Sequence, residues 1–217
     1  MRVAAFVFDL DGVLVDSEQV WDAARRDVVA ERGGTWKESA TRDMLGMSAP
    51  EWSRYVVEEL RVPMTPDEVN GAVVDAMLRE YDERLPLLPG AREAVERMAA
   101  RWPLGLASSS NRPVIDLVLE RMGVTARFAA TVSSEEVGRG KPAPDVYLEA
   151  ARRLGVDARE CAAVEDSENG IRSAHAAGMR VLAIPNPHFP PAPDALQLAD
   201  ARLPDLDALT EDAVSPA

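Results

Sequence analysis

The chain has 217 residues, with 24 Lys+Arg against 37 Asp+Glu and a formal net charge of −13; 47% of its residues are apolar and 28% charged. A chain of this length forms one large domain or two small ones and buries ~70% of its unfolded surface, so it needs no disulfide, and its composition is that of a globular protein. The acidic balance argues against nucleic acid and anionic membrane surfaces as partners, since both demand a basic face, and no stretch approaches the ~20 apolar residues that span a bilayer.

In chain order, the first element is the apolar run Val3 to Phe8, of the kind that becomes a strand buried on both faces of a parallel sheet. It stops at Asp9, too soon for a signal sequence. From Ser17 to about Tyr81 the signals are helical. Ser48 with Glu51 and Thr65 with Glu68 are capping boxes, and Trp52, Tyr55, Val56 and Leu60, then Val69, Val73, Ala76 and Met77, recur at helical spacing. After Leu85 to Gly90 the pattern alternates: helix near 91 to 101, strand Leu104 to Ala107, helix near 113 to 122 and strand near Phe128 to Val132. It continues with helix near 144 to 154, strand Ala162 to Val164, helix near 168 to 177 and strand Val181 to Ile184. Such alternation predicts an α/β fold, a doubly wound Rossmann-like parallel sheet. The helical block interrupts it, so the expected organisation is a core of residues 1–15 plus 89–217 and an all-helical cap domain of residues 16–88 joined by two hinges. Pro185 to Pro193 reads as a stiff loop, and Glu211 to Ala217 as a frayed tail.

Ligands of open α/β sheets bind beyond the carboxyl ends of the strands. There this chain places Asp9-Leu-Asp11-Gly12, Ser108-Ser109-Ser110 and Glu165-Asp166-Ser167, with Gly140-Lys141-Pro142 before a helix. Strand period 2 puts Asp9 and Asp11 on one side, about 6.6 Å apart along the chain, while Leu10 faces the core. That gap suits an in-line displacement in which one carboxylate attacks phosphorus and the other reaches the departing oxygen. An all-oxygen set of clustered carboxylates favours a hard cation, Mg²⁺ before others. Lys141, the Ser108 hydroxyl and loop N–H groups would supply the charge stabilisation that phosphoryl transfer asks for.

Phe8-Asp-Leu-Asp-Gly-Val-Leu-Val-Asp-Ser17, Leu106-Ala-Ser-Ser-Ser110, Gly140-Lys-Pro-Ala-Pro-Asp145 and Val164-Glu-Asp-Ser-Glu-Asn-Gly170 resemble the four signature motifs of the haloacid dehalogenase superfamily. The resemblance spans nearly the whole chain, and the helical insert is similar to the small cap of the β-phosphoglucomutase-like branch. It implies a Mg²⁺-dependent phosphatase of small phosphomonoesters, sugar or polyol phosphates. Asp9 would be the nucleophile that forms a phosphoaspartyl intermediate, and Asp11 the acid that later activates water. Ser108 and Lys141 would hold the phosphoryl group; Asp166, with Glu165 behind it, would bind Mg²⁺ together with Asp9 and the Asp11 carbonyl. In the mutase a histidine stands where this chain has Trp21, and an arginine follows a G-x-S where it has Gly46-Met-Ser48-Ala49. Water is then the expected acceptor. A phosphosugar mutase remains the alternative, and a receiver-like phospho-accepting module a more distant one.

Ser109, Trp21 and Arg79 are the candidate substrate contacts. Trp21 either lines the pocket or packs inside the cap, and Arg79 either reaches toward substrate or is a solvated helix charge. Trp36 and Trp52 are expected in the cap core. Asn169 and Gly170 would shape the turn after the metal ligands. Cys161 has no second cysteine to pair with, and together with His175 and His188 it makes no zinc set. A cytoplasmic monomer acting on a small-molecule phosphate ester is the expectation.

Overall fold

The computed structural model describes residues 3–44 and 47–216; Gly46 of the Gly46-Met-Ser48-Ala49 segment lies outside the described residues. Strand β1 (Ala5–Phe8) is followed by helices α1 (Glu18–Glu31), α2 (Ala40–Asp43), α3 (Ala49–Glu58) and α4 (Pro66–Glu83). Then come α5 (Ala91–Ala99), β2 (Leu104–Ser108), α6 (Arg112–Met122), β3 (Phe128–Ser133), α7 (Asp145–Leu154) and β4 (Cys161–Glu165). The chain closes with α8 (Glu168–Ala176), β5 (Arg180–Ala183), α9 (Pro193–Leu196), β6 (Ala201–Arg202) and α10 (Glu211–Val214).

The strands form one six-stranded sheet in the order β3-β2-β1-β4-β5-β6, with every neighbouring pair parallel. β1 is fully buried on both faces, as its continuous apolar run requires. Period 2 splits it: Phe6 and Phe8 belong to the core shared with α5 and α6, and Ala5 and Val7 to the core shared with α7 and α8. The chain moves from β1 to β2 and β3 on one side and places β4, β5 and β6 on the other. The carboxyl ends of β1 and β4 therefore flank a topological switch point, where an open α/β sheet leaves a crevice.

In the insert, both capping boxes form: Glu51 accepts from the Ser48 N–H at 2.8 Å, and Glu68 from the Thr65 N–H at 2.8 Å. Trp21, Trp52, Val69, Val73 and Met77 pack inward, while Trp36 is half-buried. The insert meets the core where Asn111 Nδ2 donates to Asn70 Oδ1 at 3.1 Å. A Cβ on Gly140 would stand 2.8 Å from the Ser48 Cβ, so these two segments approach as closely as a glycine permits.

The tail departs from expectation. Residues Glu211–Val214 are helical rather than frayed, and the Thr210 side chain caps them. Val214 and Leu209 are fully buried, and Arg97 donates to the carbonyls of Leu206 and Leu209 at 2.6 and 2.8 Å. Burial of those two apolar side chains fixes a segment whose composition alone looks like a solvated end.

Phe6 lies under the sheet, 4.9 Å from Phe8 and 6.3 Å from Trp102 between ring centroids, with no exposure. Phe6→Ala should cost about 3–5 kcal/mol of unfolding free energy in a urea titration. A loss below about 1 kcal/mol would show that this core face collapses freely around the missing ring.

Candidate active site

Beyond the carboxyl ends of β1 and β4 lies a cavity of about 580 Å³, lined by Asp9, Asp11, Ser109, Lys141 and Asp166 among others. β1 ends at Phe8, and its neighbour β4 is tied to the following residue by the Asp9 N–H, which donates to the Val164 carbonyl at 3.1 Å. The chain then turns: the Gly12 N–H donates to the Val15 carbonyl at 2.8 Å, and the Leu14 N–H to the Leu10 carbonyl at 2.8 Å. Asp9 and Asp11 thus reach the same cavity through a turn rather than through a continued strand, and Leu10 is fully buried as expected.

The two carboxylates have different partners. Lys141 Nζ donates to Asp9 Oδ1 at 2.7 Å and to Glu165 Oε1 at 2.6 Å. Asp11 instead accepts from Trp21 Nε1 at 3.1 Å on Oδ1, and from Ser110 Oγ at 2.6 Å and Ser108 Oγ at 3.3 Å on Oδ2. One aspartate belongs to a buried charge cluster of the core. The other is held by hydroxyls of the β2 end and by an indole of the insert.

Glu165 has no exposure. Besides Lys141 it accepts from the Tyr147 hydroxyl at 2.6 Å and from the Asp166 N–H and Ser167 Oγ, both at 3.2 Å. These bonds tie Glu165 to Lys141 while its carboxylate stays beside Asp9 and Asp166. Gly170 is obligatory beside it, since a Cβ there would fall 1.9 Å from the Glu165 carboxylate. Gly12, at φ +77°, plays the same part for Asp166, whose Oδ2 would lie 1.9 Å from an added Cβ. Asp166 Oδ2 also accepts from Asn186 Nδ2 at 3.2 Å. Asn186 holds the 185–193 loop as well, accepting from the His188 and Phe189 N–H groups, and that loop walls the cavity.

Asp9, Glu165 and Asp166 bring carboxylate oxygens within 4.8 Å of one another, all three buried. Burial first, then Glu165, pushes the Asp9 carboxyl from 3.8 to about 8 although Lys141 opposes the shift. Burial, then Glu165 and Asp9, raises Asp166 well above its ordinary range. Burial alone would lower Lys141, but Asp9 and Glu165 carry it above its usual value. Three carboxylates and one ammonium leave an excess of negative charge, and the donors are hard oxygens; that combination fits a divalent cation held by Asp9 and Asp166.

Some expected residues take other places. Ser108 is fully buried and turned to Asp11, so Ser109 is the serine on the cavity wall. Trp21 is 5% exposed and reaches the site through Asp11, while its ring lies tilted against Trp52, 6.2 Å between centroids. Arg79 is exposed and lines a separate groove of about 440 Å³ between α1 and α4, away from the cavity. The insert arginine on the cavity wall is Arg42. Asn169 lines the cavity from the first turn of α8, and His188 from the proline loop. Sequence reading missed Ser110, Tyr147 and Asn186. Ser110 alone carried a signal, as the last hydroxyl of the serine run.

A family model for haloacid dehalogenase-like hydrolases matches residues 3–178. The chain is 37% identical to hexitol phosphatase B of Escherichia coli (strain K12) over 215 residues, 96% of this chain and 95% of that one. It is 30% identical to the fructose-1-phosphate phosphatase of the same organism over 183 residues, covering 82% and 94%. Among solved structures, that of CbbY from Rhodobacter sphaeroides in complex with phosphate superposes with a TM-score of 0.85 at 24% identity, over 98% of this chain and 99% of that one. A doubly wound parallel sheet with acids at its switch point and a helical insert after β1 is the architecture of a hydrolase of this kind. The chain belongs to the haloacid dehalogenase-like hydrolase family. Among the described residues, no helix is long and apolar enough to cross a membrane.

The raised carboxyls make stability depend on pH and cation together. Asp9 and Asp166 bind protons more tightly folded than unfolded, so the stabilisation their protonated forms contribute is complete below about pH 4 and lost as pH rises, for Asp9 as it passes about 8. A divalent cation competes with those protons. Addition of Mg²⁺ or Mn²⁺ should raise the melting temperature more at pH 8 than at pH 5, and Asp166→Asn should shrink the difference. Equal shifts at both pH values would place cation binding elsewhere.

Proposed function

We propose that the chain is a Mg²⁺-dependent phosphatase of small phosphomonoesters, sugar or polyol phosphates, that works through a phosphoaspartyl intermediate on Asp9. The observation that carries this reading is the division of the two aspartates: Asp9 beside Lys141 and the acidic cluster, Asp11 beside hydroxyls and an indole, both on one cavity. Names of relatives support the substrate class, since hexitol phosphatase B and fructose-1-phosphate phosphatase both match most of this chain. A cavity of about 580 Å³ suits a small metabolite rather than a polymer.

When bound, Mg²⁺ would neutralise phosphoryl charge and relieve the repulsion between Asp9 and Asp166. Lys141, fixed by Glu165, would hold the phosphoryl oxygens beside Asp9. Asp9 Oδ1 is taken by Lys141, which leaves Oδ2 to attack phosphorus. Asp11, oriented from both oxygens, would protonate the departing alkoxide and afterwards take a proton from the water that hydrolyses the acyl phosphate. The Ser109 side of the loop after β2 and the N-terminus of α8 border the space where the phosphate would sit. Residues 16–88 would act as a cap that closes over the leaving group and excludes bulk water. Trp21, which stands where the mutase has a histidine, is spent on Asp11. That favours water over a second sugar hydroxyl as acceptor. A signalling module is excluded by family membership.

Inorganic phosphate release from a panel of sugar, polyol and nucleoside monophosphates, with Mg²⁺ or with chelator, tests the reading. Many equivalents should be released per chain with Mg²⁺, and Asp9→Asn should reduce kcat by ~10³-fold or more, because an amide cannot form the acyl phosphate. Retained turnover in that variant would rule out the covalent route. Trp21→Phe keeps the ring and removes one donor to Asp11; kcat should fall roughly tenfold or more with KM little moved. An unaltered kcat would mean that the indole N–H plays no part in placing the acid.

A further inference from the structure

The proposed chemistry leaves two acids of the cavity without a task, and of these Glu168 is bonded to Arg172 and the Ala192 N–H. Glu18, the first residue of α1, lines the same cavity as Asp9 and Asp11. Its side chain is 24% exposed, and its Oε1 is cut off from solvent with no hydrogen-bond partner among the described residues. The nearest cation is Arg25, whose Nη1 lies 3.9 Å from that oxygen, too far for a hydrogen bond. Oε1 faces the arginine, and the residue lines the cavity.

Arg25 itself is unusual. Its side chain is 7% exposed, its Nε has no partner among the described residues, and its guanidinium sits 5.2 Å from the ring centroids of both Trp21 and Trp52. Two indole faces stabilise a cation in this position and fix its orientation. Glu18, Trp21 and Arg25 follow one another at i, i+3 and i+7, a single stripe of α1. The stripe thus presents two functions to the site: an N–H on Asp11 and a carboxylate steadied from behind by that arginine.

A carboxylate so placed discriminates. It accepts a hydrogen bond from a hydroxyl, and charge-assisted bonds of this type are the strong ones. It repels a second anion, and partial burial prevents water from screening that repulsion. Arg42, the insert's cation on the same wall, is exposed to solvent and cannot cancel it. Resting on the phosphatase reading above, we propose that Glu18 selects the leaving group: it accepts a hydrogen bond from a hydroxyl of a neutral polyhydroxy leaving group and rejects those bearing a carboxylate. Arg25, packed over the adjoining rings of Trp21 and Trp52, is its positioning residue.

The test compares kcat/KM of wild type, Glu18→Gln and Arg25→Met on sorbitol 6-phosphate, 2-phosphoglycolate and p-nitrophenyl phosphate, all with Mg²⁺. Wild type should prefer the hexitol ester to phosphoglycolate. Glu18→Gln should reduce that preference roughly tenfold or more, partly through a higher KM for sorbitol 6-phosphate and partly through a gain on phosphoglycolate. A gain cannot come from damage to the fold. Arg25→Met should raise KM for the hexitol ester with a smaller effect on kcat and on p-nitrophenyl phosphate, a split that general destabilisation would not give. An unchanged preference in Glu18→Gln, with wild type active, overturns the assignment of Glu18 and leaves the phosphatase reading standing. A wild type that turns over none of the three esters removes both.

Discussion

Lys141 lies between Asp9 and Glu165 at 2.7 and 2.6 Å, its side chain 4% exposed, and the rest of the core is arranged so that this buried charge group stays together. An ammonium taken from water costs several kcal/mol unless its partners are well placed and themselves satisfied. Here the partners come from β1 and β4, adjacent strands in register, and the lysine from the loop before α7. Tyr147, on α7, donates to the same glutamate and its ring lies 5.0 Å beneath the ammonium. Removal of Lys141 would leave Asp9 and Glu165 buried without their cation, which is a larger penalty than the pair's own worth. The sheet order therefore has a chemical consequence. With β1 central and β4 beside it, the switch-point crevice opens over this cluster, and the cluster's surplus negative charge becomes a cation site instead of a defect.

The insert contributes the second half of the site by a separate route. Asp11 has no lysine; its three donors come from Ser108, Ser110 and Trp21, the last from α1 of the insert. The acid is fully oriented only when α1 lies against the core. Asn70 against Asn111, and Ser48 against Gly140, border an apolar cluster that runs from the insert into the core.

What the sequence disclosed was local. The run Val3 to Phe8, the two capping boxes and the helix-strand alternation each depend on neighbours within a few residues, and the elements formed within a residue or two of the expected ends. That Asp9, Asp11 and Asp166 would meet at one rim was legible because ligands of such sheets bind beyond the strand ends, and Lys141 joins them from the loop before α7. Partnerships across the chain were not legible. Ser110 meets Asp11 across 99 positions, and Lys141 meets Asp9 across 132, so no spacing rule can pair them. Asn186 sits in a proline-rich loop that reads as a spacer until its amide is found on Asp166. Arg79 failed for the opposite reason: helical period fixes which residues share a face of α4, but not that this face turns toward α1 and away from the crevice. The tail misled through composition, since a few buried side chains such as Val214 and Leu209 outweigh a polar stretch.

The chain's charge of −13 sharpens the question of how it could hold a dianionic ester. Long-range attraction is absent, so affinity has to arise within a few ångströms of the phosphorus, where burial strengthens each interaction and salt screens little. The core satisfies this with one lysine anchored by a fully buried glutamate and with acids whose repulsion a cation would convert into affinity. Acidic surroundings then act as a filter. A phosphate bound at the cluster has its charge met locally, whereas an additional anion on the leaving group finds no such compensation under α1. On the proposed reading the β1/β4 rim captures the phosphoryl group, while α1 both orients Asp11 through Trp21 and places Glu18 on the cavity. Substitutions at Glu18 can accordingly alter which ester is accepted, whereas those at Trp21 also reach Asp11.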